Sequence, residues 1–111
     1  MIRFTFLKDK LGRNIGFECI NHGLEIVCAA VSVLSMNTVN SIETFSDCEF
    51  SIELNEKPGF MEFILVRSVE NNNEIDPVAL LFLDSLELGI RKIAEEYGDD
   101  IEVFVKEVYD A

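Results

Sequence analysis

The sequence is poor in basic residues and has no long apolar stretch, and each shortage excludes a class of protein. Nine lysines and arginines stand against 21 aspartates and glutamates, so the 111 residues carry a formal net charge of −12. Direct nucleic-acid binding is disfavoured, because contacts to phosphates require lysine and arginine. No apolar run reaches 18 residues, so no membrane span is expected. The alternating N-terminus lacks the apolar stretch of a signal peptide, which favours a cytoplasmic protein.

Cysteine is also scarce. Cys19, Cys28 and Cys48 are an odd number and lack the C-x-x-C spacing of metal and redox motifs. A disulfide framework and a zinc site are therefore both disfavoured. Glycine-rich phosphate-binding loops are absent too. We expect reduced thiols, no cofactor and no bound metal.

The shortage of basic residues is most pronounced in one stretch. No lysine or arginine occurs between Arg13 and Lys57, whereas the acidic residues there are Glu18, Glu25, Glu43, Asp47, Glu49, Glu53 and Glu56. A basic partner or substrate would be attracted to such a stretch. Acidity that only keeps the protein soluble explains the composition equally well. The residues alone leave both interpretations open.

The spacing of apolar residues predicts seven elements in the order ββαββαβ. Apolar and polar side chains alternate at 2–6, 15–19, 48–54, 60–66 and 101–106, which predicts five strands. A helix is predicted after Gly23, ending near residues 45–47, and a second between Asp76-Pro77 and a stop at Gly98. Polar turns are predicted at 8–13, with Gly12 at positive φ, and at 55–59, and an exposed loop around residues 71–73.

Both predicted helices carry an apolar stripe. The first stripe contains Ile26, Val27, Ala30, Val31, Leu34, Ile42 and Phe45, and the second contains Leu81, Phe82, Leu86, Ile90, Ile93 and Ala94. Two helices packed on one face of a mainly antiparallel sheet would bury both stripes. The sequence therefore predicts a single α+β domain that comprises residues 1–111.

Cys28 falls in the first turn of the first helix, six positions after His22, the only histidine. Helix N-termini carry unpaired N–H groups and a partial positive charge, which favour a thiolate, and a nearby imidazole can accept the proton. A single buried cysteine is nevertheless more often an inert small apolar residue, which is our interpretation of Cys19 and Cys48. Ser32, one turn after Cys28, either lines a site or only allows close packing.

Residues 23–32, Gly-Leu-Glu-Ile-Val-Cys-Ala-Ala-Val-Ser, resemble a motif of the ribosomal-processing cysteine protease (Prp) family. That family carries G-x-D-[IV]-V-C-A-[AS]-V-S at a helix start, after a G-H motif and a glycine-rich loop. Chain length, acidity and element order are also similar along the whole chain. The resemblance implies that Cys28 is the nucleophile and His22 the general base.

The resemblance also assigns the residues around this pair. Ser32 would be the family's site serine and Glu25 stands at the position of its aspartate, so we expect Glu25, Ser32 and Gly23 to contact substrate. Asn21 replaces the glycine that precedes the family's histidine. The interval between His22 and Gly23 is shorter than in the family. Either this chain lacks the loop or loop residues are missing from the sequence, and the mobility of loops beside active sites favours the second interpretation.

The family resemblance implies a bacterial, cytoplasmic, homodimeric protease that removes a short N-terminal extension from a basic large-subunit ribosomal protein, after an aromatic residue. A Cys28 thiolate would form a thioester acyl-enzyme, and N–H groups at the helix start would stabilise the oxyanion. The competing interpretation is a non-catalytic acidic dimer that binds a basic ribosomal partner. A redox-sensing thiol is a weaker third interpretation, because no resolving cysteine lies nearby in sequence.

Overall fold

The computed structural model describes residues 1–55, 59–66 and 74–108. Seven elements follow in the predicted order: β1 (Ile2–Lys8), β2 (Asn14–Ile20), α1 (Glu25–Phe45), β3 (Phe50–Asn55), β4 (Phe60–Leu65), α2 (Pro77–Glu96) and β5 (Ile101–Glu107). The central residues of the turn predicted at 55–59 and the loop predicted around 71–73 lie outside the described residues. The predicted element order is confirmed.

The five strands form one sheet in the order β3-β4-β2-β1-β5. β1 pairs parallel to β5, and the other three pairs of neighbours are antiparallel. α1 connects β2 to β3, and the short β3–β4 hairpin then returns β4 to the side of β2. α2 leads from β4 to β5 at the opposite edge. The prediction of a mainly antiparallel sheet with two helices is confirmed.

Phenylalanine rings from neighbouring strands form the centre of the core. Phe17 stacks between Phe4 and Phe63, with ring centroids 5.4 Å apart in both pairs, and Phe50 lies 5.0 Å from Phe63. Phe4, Phe17 and Phe63 are fully buried on the face that packs against the helices. Aromatic side chains bury large apolar areas, so a register shift that exposed this row would cost much of the core.

Each helix buries one stripe in this core. The buried residues are Val27, Val31, Ser35, Thr38, Val39 and Ile42 of α1, and Ala79, Leu83, Leu86 and Ile90 of α2. Ile26, Phe45 and Leu81 were predicted for these stripes but are 59%, 68% and 68% exposed. Successive residues point about 100° apart around a helix, so Ile26 cannot share the core-facing side that Val27 occupies.

The helix ends agree only partly with the predicted boundaries. The Asp76 carboxylate caps α2 by accepting a hydrogen bond from the Val78 N–H at 2.9 Å, as predicted. Gly98 was predicted to end α2, but the helix already ends at Glu96 and Gly98 is not at positive φ. The residue that caps the helix is Tyr97, whose N–H donates to the Ile93 carbonyl. Gly12 has the predicted positive φ, +78°.

Cys48 was predicted to lie in a strand, and this was wrong. β3 begins two residues later, at Phe50. The Cys48 N–H instead donates to the Ser46 hydroxyl at 3.3 Å. This local hydrogen bond replaces a sheet hydrogen bond, as serine side chains often do just after a helix.

α1 is long and apolar enough, by length and composition, to cross a membrane, with a mean hydropathy of 1.3 over its most apolar window. About a third of that window (33%) is buried inside the protein. Core helices pass the same test, because a stripe such as Val27, Val31 and Ile42 raises the mean hydropathy of the whole helix. The packing of this stripe in the core therefore accounts for part of the apolar composition of α1.

A row of glutamates crosses the sheet. Glu18, Glu62 and Glu53 lie directly opposite one another on β2, β4 and β3. Burial, a hydrogen bond with the Glu18 carboxyl and the charges of Glu18 and Glu53 raise the pKa of Glu62, and Lys106 opposes this effect. Since Glu62 is the middle member, it is subject to repulsion from both sides.

We expect Glu62→Gln to raise the free energy of unfolding at neutral pH by roughly 0.5 to 1 kcal/mol, because like charges directly opposite on a sheet are destabilising. A raised pKa means that the folded state binds the proton more tightly than the unfolded state does. The stability linked to neutral Glu62 is therefore present below its ordinary pKa of 4.5 and is lost as pH rises through the raised value.

Urea unfolding at neutral and at acidic pH measures this effect. The gain from Glu62→Gln should be present at neutral pH and should disappear at a pH well below 4.5, where Glu62 is protonated in both states. Glu49→Gln, at an exposed position just before β3 and outside the row, is the control and should leave stability unchanged at both pH values. Equal gains from the two variants would contradict repulsion within the row.

Candidate active site

A cavity of about 500 Å³ lies between the first turns of α1 and the end of the β3–β4 hairpin. Its walls are Ile2, Cys19, Asn21, His22, Cys28, Val31, Ser32, Ser35, Leu54, Asn55, Gly59, Phe60 and Met61. The exposed surface of the lining is mainly apolar, with polar side chains among it, as is typical of ligand sites. Of the five residues predicted for the site, Cys28, His22 and Ser32 line this cavity. Glu25 and Gly23 are exposed and do not belong to its lining.

The start of α1 positions Cys28. Leu24 is the N-cap, and the Cys28 N–H makes a hydrogen bond to the Leu24 carbonyl at 2.9 Å. A leucine side chain cannot bond to the first N–H groups of a helix, and no side-chain cap forms at Leu24. The first N–H groups of α1, in the turn that carries the Cys28 thiol, are therefore not bonded to a capping side chain.

Gly23 contacts Cys28 through its backbone. Its N–H donates to the Cys28 sulfur at 3.2 Å, and its carbonyl oxygen lies 3.5 Å from the same atom. A Cβ on Gly23 would lie 3.2 Å from the Asp100 carbonyl oxygen and 3.4 Å from Ile2 Cγ1. Glycine therefore lets the backbone pass between these neighbours and the thiol.

His22 reaches the cavity through a left-handed residue at the end of β2. Asn21 has φ +74°, and its N–H donates to the Gly59 carbonyl at 2.9 Å. The N-terminal ammonium donates to the His22 carbonyl at 3.2 Å. Only residues 21–24 connect β2 to α1, and His22 is joined directly to Gly23.

Cys19 lines the same cavity, which the sequence reasoning missed. It lies on β2, opposite Met61 of β4. Burial, and to a lesser extent the neighbouring Cys28, raise the pKa of the Cys19 thiol to about 11. Cys19 is thus protonated near neutral pH, whereas a thiol nucleophile must be ionised to react.

The described part of the chain contains no group of three or more side chains suited to holding a metal ion.

Ser35 is a second residue whose place in the site was not predicted. It is 1% exposed, and its hydroxyl has no hydrogen-bond partner among the described residues. The hydroxyls of Thr38 and Ser46 donate instead to carbonyls four residues earlier, at 2.8 and 2.7 Å. A hydroxyl in mid-helix is a weak signal in sequence, because only tertiary packing decides whether it finds a partner.

We expect Ser35→Ala to raise the free energy of unfolding of the ligand-free protein by about 1 kcal/mol, because a buried unpaired hydroxyl is costly. Thr38→Val is the control, since it removes a hydroxyl that has a partner while preserving side-chain shape. It should lower stability or leave it unchanged. Urea unfolding of both variants measures the difference, and a Ser35→Ala protein less stable than the wild type would contradict this account.

Residues 1–102 match the sequence model of the family described as cysteine protease Prp. No curated protein matches the chain. SMU.848 from Streptococcus mutans shares 32% identity and superposes with a TM-score of 0.81, over 97% of this chain and 96% of that one. The essential ribosomal processing protease Prp from S. aureus is 23% identical in two structures that cover 96% of this chain and 100% of that one. Its complex with a covalently linked product peptide gives a TM-score of 0.80, and its complex with a substrate peptide gives 0.81.

Proposed function

The chain belongs to the cysteine protease Prp family, and we propose that it removes an N-terminal extension from a ribosomal protein, with Cys28 as nucleophile and His22 as general base. The observation that carries the proposal is the position of the Cys28 sulfur. It lies in the first turn of α1, accepts a hydrogen bond from the Gly23 N–H and lines one cavity with the only histidine. The substrate class is taken from the S. aureus relative, which is a ribosomal processing protease.

In the proposed reaction His22 accepts the Cys28 proton, and the thiolate attacks the carbonyl carbon of the scissile peptide bond. Negative charge then develops on the carbonyl oxygen, to which the uncapped N–H groups of the first turn of α1 can donate. The C–N bond breaks as His22 returns the proton to the leaving amine, which leaves a thioester on Cys28. Water, deprotonated by His22, hydrolyses the thioester and frees the thiol.

The cavity walls suit an apolar side chain of the peptide. Leu54, Phe60 and Met61 from the hairpin line the cavity together with Val31 of α1, and its volume of about 500 Å³ is sufficient for an aromatic ring. An aromatic residue just before the scissile bond, as the family resemblance implies, would bury its ring here. The exposed Glu25 lies near the cavity in a stretch without lysine or arginine, which favours a basic substrate.

Cleavage of a peptide that carries the ribosomal protein's N-terminal extension tests the assignment. We expect Cys28→Ala to abolish cleavage and His22→Ala to reduce kcat by roughly 10²- to 10⁴-fold, the range for loss of a general base. Cys19→Ala is the matched control, because it removes a thiol of the same cavity that is protonated at neutral pH. It should retain activity.

The competing function, a non-catalytic acidic module that docks on a basic ribosomal partner, gives a different result in the same assay. Wild-type protein would then bind the peptide tightly, as measured by calorimetry, without cleaving it. Unchanged cleavage by folded Cys28→Ala would likewise rule out the proposed nucleophile.

We also propose that a second copy of the chain covers the outer face of the two helices, and that the protein is cytoplasmic. Val33 of α1 and Leu81 and Leu88 of α2 are each more than 60% exposed, on the side of their helix opposite its buried stripe. Large apolar side chains exposed on a surface are typical of interaction sites. The three cysteines are free, which suits a reducing compartment. The net charge of −12 argues against direct nucleic-acid binding.

We expect Leu88→Lys to convert a dimer into a monomer, because a charge would be buried in the interface without a partner. Leu11→Lys is the matched control, since Leu11 is 78% exposed on the turn between β1 and β2 and belongs to neither helix. Sedimentation velocity measures the mass of each protein. A monomeric wild type, or a Leu88→Lys protein that stays dimeric, would contradict the proposed interface.

A further inference from the structure

The imidazole of His22 lies against the backbone of Gly59, the residue just before β4. A Cβ added to Gly59 would lie 2.8 Å from His22 Cε1 and 3.0 Å from Cδ2, and closer still to Nε2. A Cβ essentially never approaches another atom within 3.0 Å. Any side chain at position 59 must therefore displace the imidazole, the Gly59 backbone, or both.

The contact between Gly59 and His22 is held by the backbone. Asn21, the neighbour of His22, donates its N–H to the Gly59 carbonyl at 2.9 Å, directly beyond the paired residues Ile20 and Phe60. Both partners have positive φ, +74° at Asn21 and +83° at Gly59. The two segments therefore leave the β2–β4 pairing together and bring the imidazole against the glycine.

We propose that Gly59 is a positioning residue, whose lack of a side chain sets the place of the His22 imidazole in the cavity that Cys28 lines. The inference rests on the proposed roles of His22 and Cys28. A general base must come within hydrogen-bond reach of the proton it accepts. A displacement of about 1 Å can cost roughly a hundredfold in rate. Gly59 thus acts on the reaction through His22.

Gly12 supplies a matched control for Gly59. Both glycines have positive φ, +78° and +83°, so alanine imposes a similar backbone strain at each position. A Cβ on Gly12, however, meets no atom within 4 Å. Gly12→Ala and Gly59→Ala therefore differ mainly in whether the imidazole must move. Thermal unfolding of both variants verifies that each folds and that their losses of stability are comparable.

His22 is the only histidine, so its imidazole signals in an NMR spectrum need no further assignment. We expect Gly59→Ala to shift these signals and to lower kcat roughly a hundredfold while KM stays near the wild-type value. Gly12→Ala should retain the wild-type signals and kcat. A structural role alone would lower the stability of both variants without moving the His22 signals.

Two results would overturn the inference. One is a Gly59→Ala protein with wild-type His22 signals and kcat, and the other is an equal loss of kcat in Gly12→Ala. Failure of the proposed function gives a separate result, because the wild type would then not cleave the peptide at all. The NMR comparison would still decide whether Gly59 sets the place of the imidazole.

Discussion

Phe17 and Phe63 stack across β2 and β4, and the pairing of these two strands determines the geometry of the site. Two residues along β2 from this pair, Cys19 lies opposite Met61, and both line the cavity. Another two residues on, Asn21 bonds to Gly59. A shift of one residue would turn Cys19 away from the cavity and separate His22 from Gly59. The aromatic core and the candidate site therefore depend on the same strand register.

Several features around the site reduce stability. The Ser35 hydroxyl is buried without a partner, α1 begins without a side-chain cap, and Asn21 holds a positive φ. Each is a departure from the arrangement that local stability would favour. All three lie along or beside one cavity, while the phenylalanine core next to it is fully buried. Such clustering is characteristic of functional sites, where stability elsewhere compensates for local strain.

Local signals predicted much of the fold, because residues adjacent in sequence determine them. Strand alternation, the Asp76 cap and the positive φ of Gly12 are of this kind. The side of α1 that faces the core was predicted less well, since Ile26 and Val27 are equally apolar and only packing against the sheet selects Val27. The roles of Cys28 and His22 came from helix position and family resemblance. The places of Ser35 and Gly59 required the tertiary fold, because only strand pairing brings Gly59 beside His22 and only packing decides whether the Ser35 hydroxyl finds a partner.

The short connection between β2 and α1 bears on how the site works. With four residues between strand and helix, His22 has little freedom of its own. Its carbonyl accepts from the N-terminal ammonium, and the preceding N–H is bonded to Gly59. The sheet thus holds the proposed base and the helix holds the proposed nucleophile, at the wall of one cavity. Selection of the peptide then falls to the cavity walls, which α1 and the β3–β4 hairpin supply from opposite sides.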